Sequence, residues 1–571
     1  MKTNKVYVAD FETRCSDQDI ANKETSVWLW DICDTEDYSH TTGKTIETFF
    51  EEISHYGDAI IYFHNLSNFD GFFIFDYLLT HKFRYMINNK LKSNQYTALI
   101  DEVGVVYNIV VCLDDGRSKH KKRSLIEFRD SIHKIRGKVR DIAKTFNLPI
   151  LKGEIDYNKH RPSDYEPTEE EISYIHNDTE IVARVLKLEY DRGMTNLTSA
   201  GDTFSIYKAE CGTFFRSLFP ELDIETDTFI RNAYRGGACM VNPKYQDRIL
   251  DETINVYDVN SMYPNQMCNE LLPYSHPLYE IGEIKKDSTY PLFIQHIEVD
   301  CRLKEGHFPC ILLNNSANFQ RFYLVNTEGE MLELTLTNID LELLKENYEI
   351  YEINYIDGYK FLGSKNLFKK YILPLYDMKC KTRGAEKELY KLLINSLYGK
   401  FAMAPNRTNR IPFLNNGIVD YALGDEVIVK PIYTAVSCFI TSYARKQLYG
   451  VINAHKDTFV YCDTDSVHLL NDTLPDELVD DKRLGAWKLE KVYYKSKYLG
   501  TKKYMGYRTK EYLKSATDTG VDTKLAGCPD EVKATITIEN FKIGASFYGK
   551  LLPMRVKGGV ILMPTTFTIK G

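Results

Sequence analysis

Apolar, β-branched and aromatic residues run through KVYVADFET near the start of the chain and predict a strand that ends in two carboxylates. Helical spacing follows in IETFFEEISHYG, RDIAKTFNL and TEEEISYIHNDTEIVARVLKLEYDRG. In the last of these, Thr168 and Glu171 stand at capping-box spacing. Strands alternating with helices predict an α/β unit over residues 1–195. YRGGACMVNP, residues 234–243, reads as a turn into a second unit. From INVYDVNSMYP onward strand-like segments dominate, interrupted by two helical patterns, AEKELYKLLINSLYGKFA and AVSCFITSYARKQLYGVINAH. A chain of 571 residues exceeds one hydrophobic core and predicts several domains.

Composition narrows the class without naming it. Hydrophobic residues make up 43% and charged residues 27%, as in folded globular chains. The apolar stretch AIIYFHNLSNFDGFFIFDYLL is interrupted by His64, Asn65, Asn68 and Asp70, so no membrane span of about 20 residues is expected. MKTNKVYVADFETR lacks the apolar run of a signal peptide, which predicts a cytosolic protein. Twelve cysteines without a C-x-x-C pair are expected as reduced core thiols, and no zinc motif is visible. A net charge of -8 argues against nucleic-acid binding only if averaged over the chain; local basic clusters occur at 117–123 and 495–504.

The candidate chemistry lies in two sets of carboxylates. Asp10 and Glu12, two apart on a strand, point to one face, where they can share a cation. Alone, such a pair is usually solvated surface. YFHNLSNFDGF adds Asn65 and Asp70, and SYIHNDTEIV adds Tyr174 and Asp178 on one helix face. Four acids in apolar settings can hold two divalent ions for phosphodiester hydrolysis, with Tyr174 orienting the attacking water. Downstream, Asp258 ends an apolar strand, while Asp463 and Asp465 are expected in the middle of another; a hairpin-turn acid pair is the alternative. Unpaired charge is strongly penalised in such flanks, so a cation is expected there. Asp258 and Asp465 could bind two magnesium ions around a nucleoside triphosphate. Lys379, Arg383, Lys387 and Lys391 recur every four residues, which predicts a basic stripe on one helix, continued by Asn395 and Tyr398.

The ordered series DFET, N-x-x-x-FD, Y-x-x-x-D, YRGG, DVNSMYP, KLLINSLYG, YCDTDS and TKKY resembles the family B (alpha-like) DNA polymerases. More narrowly, it is similar to the protein-primed members of small Bacillus podophages. The resemblance spans Asp10 to Tyr504. It implies an α/β and α+β multidomain fold: an RNase H-like 3′→5′ exonuclease domain over 1–195, then a right-hand polymerase domain over 196–571. Within the latter it implies palm at about 196–268 and 428–526, a terminal-protein-region insertion at 269–365, fingers at 366–402, a second insertion at 403–427 and thumb at 527–571.

By the same resemblance, Asp10, Glu12, Asp70 and Asp178 are exonuclease metal ligands, accompanied by Tyr174 and by Lys144 as a phosphate-stabilising lysine. Thr13, Asn65, Phe69 and Ser131 contact the single-stranded primer end. Asp258, Asp465 and the Val259 carbonyl are polymerase metal ligands, with Asp463 an accessory acid. Tyr263 packs under the sugar and excludes a 2′ hydroxyl. Lys379, Lys391, Asn395 and Tyr398 surround the incoming nucleotide; Tyr234, Arg235, Gly236 and Gly237 contact template; Lys502 and Tyr504 contact the primer terminus. The cofactors implied are two Mg2+ per site, with Mn2+ able to substitute. The partners implied are primer-template and single-stranded DNA, deoxyribonucleoside triphosphates and a terminal protein, acting on a monomer in the cytoplasm of an infected bacterium. A DNA-primed family B polymerase and a 3′→5′ nuclease without protein priming are the alternatives.

Overall fold

The computed structural model describes residues 4–87, 90–116, 123–162, 164–313, 322–513 and 518–571. The basic cluster at 117–123 therefore lies, apart from Arg123, outside the described residues. Among the described residues no helix is long and apolar enough to cross a membrane.

The N-terminal part is an eight-stranded mixed sheet. Its order is His40–Gly43, Val27–Asp34, Lys5–Thr13, Ala59–Phe63, Ser124–Asp130, Val106–Asp114, Gln95–Ile100, Arg84–Tyr85. Lys5–Thr13 runs parallel to Ala59–Phe63 and antiparallel to Val27–Asp34. Nearly every residue of Lys5–Thr13 is buried, because the sheet is covered on both faces. One cover is the helix Glu169–Tyr190. Thr168 caps it, accepting from the Glu171 N–H while the Glu171 carboxylate accepts from the Thr168 N–H. Ile175, Ile181, Val182, Val185 and Leu186 are buried along its inner side and leave Tyr174 and Asp178 buried beside the sheet. Lys134 ties this part to the next: its ammonium, fully buried, donates to Asp202 at 2.5 Å and to the Met194 carbonyl at 2.9 Å.

The second sheet is antiparallel. Its path runs Val521–Leu525, Lys503–Arg508, Trp487–Gly500, Ile254–Val259, Ser466–Leu470, Phe459–Asp463, Cys239–Val241, with Ile249–Leu250 paired to Trp487–Gly500. The helix Thr434–Ala454 packs Ala444, Leu448, Tyr449 and Ile452 against Phe459, Val467 and Trp487. A third sheet, Leu272–Ile281, Tyr348–Ser364, Leu292–Leu303, Leu332–Thr337, carries the helix Asn338–Asn347. Its helix is locked to Thr434–Ala454 by a buried ion pair, Arg445 to Asp340, at 2.7 Å. A hairpin, Asn406–Asn415 with Ile418–Ile428, turns at Asn416 and Gly417, both with positive φ, as a two-residue turn requires. It bridges distant parts: Arg410 donates to the Glu102 carbonyl, Tyr421 joins the core of the first sheet, and Asp420 pairs with Arg555 of a C-terminal hairpin. That last hairpin is Ser546–Val556 with Gly559–Thr568.

Three expectations change. Helices also form at Met262–Asn269, Asn338–Asn347 and Lys369–Lys381, so the C-terminal two thirds is less strand-dominated than its pattern suggested. The basic stripe is not on one helix: Lys369–Lys381 and Gly384–Asn395 form a helical hairpin, broken at Thr382 and Arg383 before a glycine with φ +58°. The pattern AEKELYKLLINSLYGKFA likewise splits, Gly384–Asn395 ending before a short helix Tyr398–Phe401. Nine of the twelve cysteines are buried, whereas Cys380 is exposed.

Candidate active sites

Three elements converge on the four acids of the first carboxylate set. Asp10 and Glu12 come from Lys5–Thr13, Asp70 opens the helix Asp70–Thr80, and Asp178 comes from Glu169–Tyr190. The loop before Asp70 is held from below by the buried Asp130 carboxylate. It accepts from the Asn65 and Ser67 N–H groups, each at 3.0 Å, and from the Ser67 hydroxyl at 2.9 Å. Gly71 has no substitute: a Cβ there would stand 2.6 Å from the Leu66 carbonyl oxygen.

Burial sets the electrostatics. It pushes Asp10 up to about 7, with Asp178 adding to the rise and Lys152 opposing it. Burial also raises Glu12 and Asp70 well above the usual carboxylate range, each further raised by Asp10. Asp178 is raised by burial despite the ion pair it makes with Lys152. One oxygen each of Asp70 and Asp178 is buried without a hydrogen-bond partner. Crowded acids with orphaned oxygens fit a divalent cation, which would satisfy both the oxygens and the repulsion.

The lysine expected here was Lys144. It stays exposed on the helix Val139–Thr145, and Lys152 is the lysine that reaches the carboxylates, because the chain after that helix turns back toward the sheet. Tyr174 is buried and shares a 2.6 Å hydrogen bond with Tyr157. Neither Lys152 nor Tyr157 carries a recognisable signal in LKGEIDY; only the fold brings them in. Thr13 and Phe69 flank the set, and Asn65 adopts φ 78° with its side-chain oxygen accepting from Asn68. Ser131 is fully buried and shares a 2.8 Å hydrogen bond with His64 beside this set.

The second set is built on the antiparallel sheet. Asp258 lies on Ile254–Val259, whereas Asp463 and Asp465 flank a tight turn joining Phe459–Asp463 to Ser466–Leu470, not the middle of a strand. Thr464 takes φ 60° at that turn. The Val259 N–H donates to the Asp465 carbonyl at 2.8 Å, which fixes the turn beside Asp258. Gly237 makes room for it: a Cβ there would meet Thr464 Oγ1 at 2.9 Å. Burial and the neighbouring Asp465 push Asp258 up to about 7; burial, Asp463 and Glu490 push Asp465 to about 6. These acids line a cavity of about 680 Å³ with Glu490, Lys491, Lys502 and Tyr504. Lys502 pairs with Asp463 at 3.0 Å.

Facing this set, Lys379 donates to the Ser261 hydroxyl at 2.8 Å. Burial pulls its ammonium below the usual value, and Lys391 and Lys387 across the helical hairpin add to the effect. The Tyr263 and Tyr398 rings lie 4.1 Å apart. Lys391, Asn395 and Tyr398 also line a cleft of about 1110 Å³ whose far wall includes Ile132, His133 and Arg136. Arg235 is corrected: its guanidinium is buried and donates to the Thr335 and Leu312 carbonyls at 2.7 and 2.8 Å, so it braces the third sheet and is not free for a ligand. Tyr234 is half-buried near Tyr398, and no heavy atom stands within 4 Å of a Cβ at Gly236.

This architecture coincides with a known class. Residues 52–483 match the family model for DNA polymerase type B, organellar and viral, and the chain belongs to that family. It is 39% identical to the DNA polymerase of Bacillus phage Nf, with all of each chain covered, and 38% identical to that of Bacillus phage phi29, with 99% of each covered. Phi29 DNA polymerase complexed with primer-template DNA and incoming nucleotide substrates superposes with a TM-score of 0.91 at 37% identity, over the full length of both chains. The protein is a DNA polymerase with a mixed α/β multidomain polymerase fold.

Proposed function

We propose that this chain is a replicative, DNA-dependent DNA polymerase with its own 3′→5′ proofreading exonuclease, started from a terminal protein. The observation that carries the two-activity reading is the pair of separate carboxylate sets, one on each large sheet, with carboxyls raised by partial or full burial and mutual repulsion. Magnesium, two ions per set with manganese able to substitute, would neutralise the phosphate charge and activate the attacking oxygen. Asp10, Glu12, Asp70 and Asp178 would hold them for removal, and Asp258, Asp465 and the Val259 carbonyl for addition, with Asp463 beside them.

The remaining residues bind and orient. Lys152 neutralises charge at the exonuclease set, and Tyr174, braced by Tyr157, positions water. Thr13, Asn65 and Phe69 receive a frayed primer end. Lys379 and Lys391 face the triphosphate, Asn395 and Tyr398 the base, and the Tyr263 ring leaves no room for a 2′ hydroxyl. Lys502 and Tyr504 meet the primer terminus, and Tyr234, Gly236 and Gly237 border the template. The domain reading is exonuclease over 1–195 and polymerase over 196–571, with palm at about 196–268 and 428–526, fingers at 366–402 and thumb at 527–571. The separate sheet within 269–365 is the terminal-protein region. The hairpin within 403–427, seated between the first sheet and the C-terminal hairpin, closes around DNA and gives processivity and strand displacement. Likeness to a phi29 polymerase structure holding primer-template DNA and nucleotides supports the same substrates here, and phage relatives support action in the host cytoplasm.

The test is separation of function. Asp465→Ala abolishes nucleotide addition and leaves degradation of a single-stranded 3′ end; Asp10→Ala does the reverse. Loss of both activities in either folded variant overturns the reading. Label transferred from deoxyribonucleotides to a candidate terminal protein tests priming.

A further inference from the structure

Beside the exonuclease set, at the edge of the first sheet, stands a group of side chains that neither activity uses. Asp31 lies on Val27–Asp34, His40 on His40–Gly43 and His176 on Glu169–Tyr190. The three offer one ligand atom each, all within 4.8 Å of one another. Asp31 is fully buried, and its carboxylate meets His40 Nδ1 at 2.8 Å and His176 Nε2 at 3.5 Å. The two imidazoles stack face to face at 4.0 Å with 16° between their planes, and His176 Nε2 shares a 3.0 Å hydrogen bond with the Thr42 hydroxyl, so both rings would turn for their in-plane nitrogens to converge on one ion.

We propose that Asp31, His40 and His176 form a binding site for a divalent transition-metal ion, zinc in particular. Tetrahedral zinc with bonds of roughly 2.0–2.2 Å places its ligand atoms roughly 3.3–3.6 Å apart; His176 Nε2 stands at that spacing from one Asp31 oxygen, and His40 Nδ1, hydrogen-bonded at 2.8 Å to the other, would draw back to ligate. Two imidazoles and one carboxylate suit such an ion better than magnesium, which prefers an all-oxygen shell. The surroundings are those of a metal site. His40 Nε2 faces Glu180 at 3.8 Å, a carboxylate that Arg184 holds in place, and can direct its N–H there while Nδ1 ligates. The Thr179 hydroxyl donates to Asp31 at 2.6 Å and orients it. The His176 side chain is 30% exposed and that of His40 16%, so an ion can enter and a water can complete the shell.

The position gives the ion a consequence. Asp31 stands directly across from Asp10 in the antiparallel register, and its charge is among those that raise Asp10. His176 lies between Tyr174 and Asp178 on the same helix. A bound ion would compensate Asp31 and pin that helix to the strand pair beside it.

The experiment uses the full chain, stripped with chelator, exposed to zinc chloride in excess magnesium so that the oxygen-only sites are taken, and passed over a desalting column. Metal analysis is expected to find one zinc per chain, with His176→Gln and His40→Gln each weakening retention about tenfold or more. Asp10→Ala/Asp178→Ala is expected to keep its zinc. Melting curves establish that the variants are folded. The proposal is overturned if the wild type holds no zinc, if both histidine variants hold as much as it does, or if zinc is lost with the Asp10 and Asp178 pair.

Discussion

Replacing Asp340 with alanine tests how the third sheet supports the polymerase centre. Asp340 is fully buried and accepts from Arg445 Nε at 3.0 Å, Arg445 Nη2 at 2.7 Å and the Ser442 hydroxyl at 2.7 Å. Arg445 is 1% exposed, so Asp340→Ala leaves a guanidinium without its counter-charge in a dry interior. Breaking a buried pair in this way costs about 3–5 kcal/mol. At about 2.1 cal/mol/K of unfolding entropy per residue, that corresponds to a fall of about 4–6 °C in a transition spanning residues 196–571. Function should follow stability, because Arg445 Nη1 also grips the Arg235 and Gly236 carbonyls at 2.6 and 2.8 Å, just before Gly237 meets the turn carrying Asp465. Calorimetric melting, with primer extension and single-strand degradation at 25 °C, provides the assay. Extension should drop more than degradation. Asp340→Leu combined with Arg445→Met should recover most of the lost stability, since removing both charges removes the orphan. An unchanged melting curve for Asp340→Ala would refute the reasoning, as would a double variant worse than the single one.

Further expectations concern the exonuclease set and pH. Lys152→Ala should lower single-strand degradation by about 10²–10³-fold, the range for losing one preorganised donor, while Lys144→Ala leaves it near wild type; the reverse order would return the role to Lys144. His468, buried and hydrogen-bonded to Tyr498 at 2.8 Å, has its imidazole pushed down to about 3 by burial. Its folded value lies below the unfolded one, so between pH 6.5 and 3 the unfolded chain takes a proton that the folded chain refuses. Stability from this group is complete above pH 6.5 and declines as pH falls, by about 1.4 kcal/mol at pH 5.5. Urea unfolding at pH 7.5 and 5.5 should therefore show a smaller loss for His468→Gln than for wild type; equal losses would contradict the assignment.

Local sequence was enough for some elements and not for others. The strand Lys5–Thr13 was legible from its run of β-branched and aromatic residues, and the helix Glu169–Tyr190 from its spaced apolar positions and its local cap. So were the carboxylates, since acids inside apolar runs stand out. Placement through tertiary contact was not. Lys152 is one of many lysines until its loop folds against Asp178, and Arg235 reads as a free cation until the third sheet offers it carbonyls. The basic stripe misled because a spacing of four is helical on either side of Thr382, and nothing but Gly384 marks the reversal. Asp31, His40 and His176 are separated by up to most of the first domain and share no motif.

The central claim is that two independent centres act on one primer end. A 5′-labelled primer with a mismatched 3′ nucleotide, annealed to template with all four deoxyribonucleotides and magnesium, tests it in one gel. Asp10→Ala should extend only a matched primer, and Asp465→Ala should trim the mismatch without extending. Mixing the two variants should restore trimming followed by extension. If either folded variant alone fails at both steps, or the mixture fails where wild type succeeds, the two-centre account is contradicted.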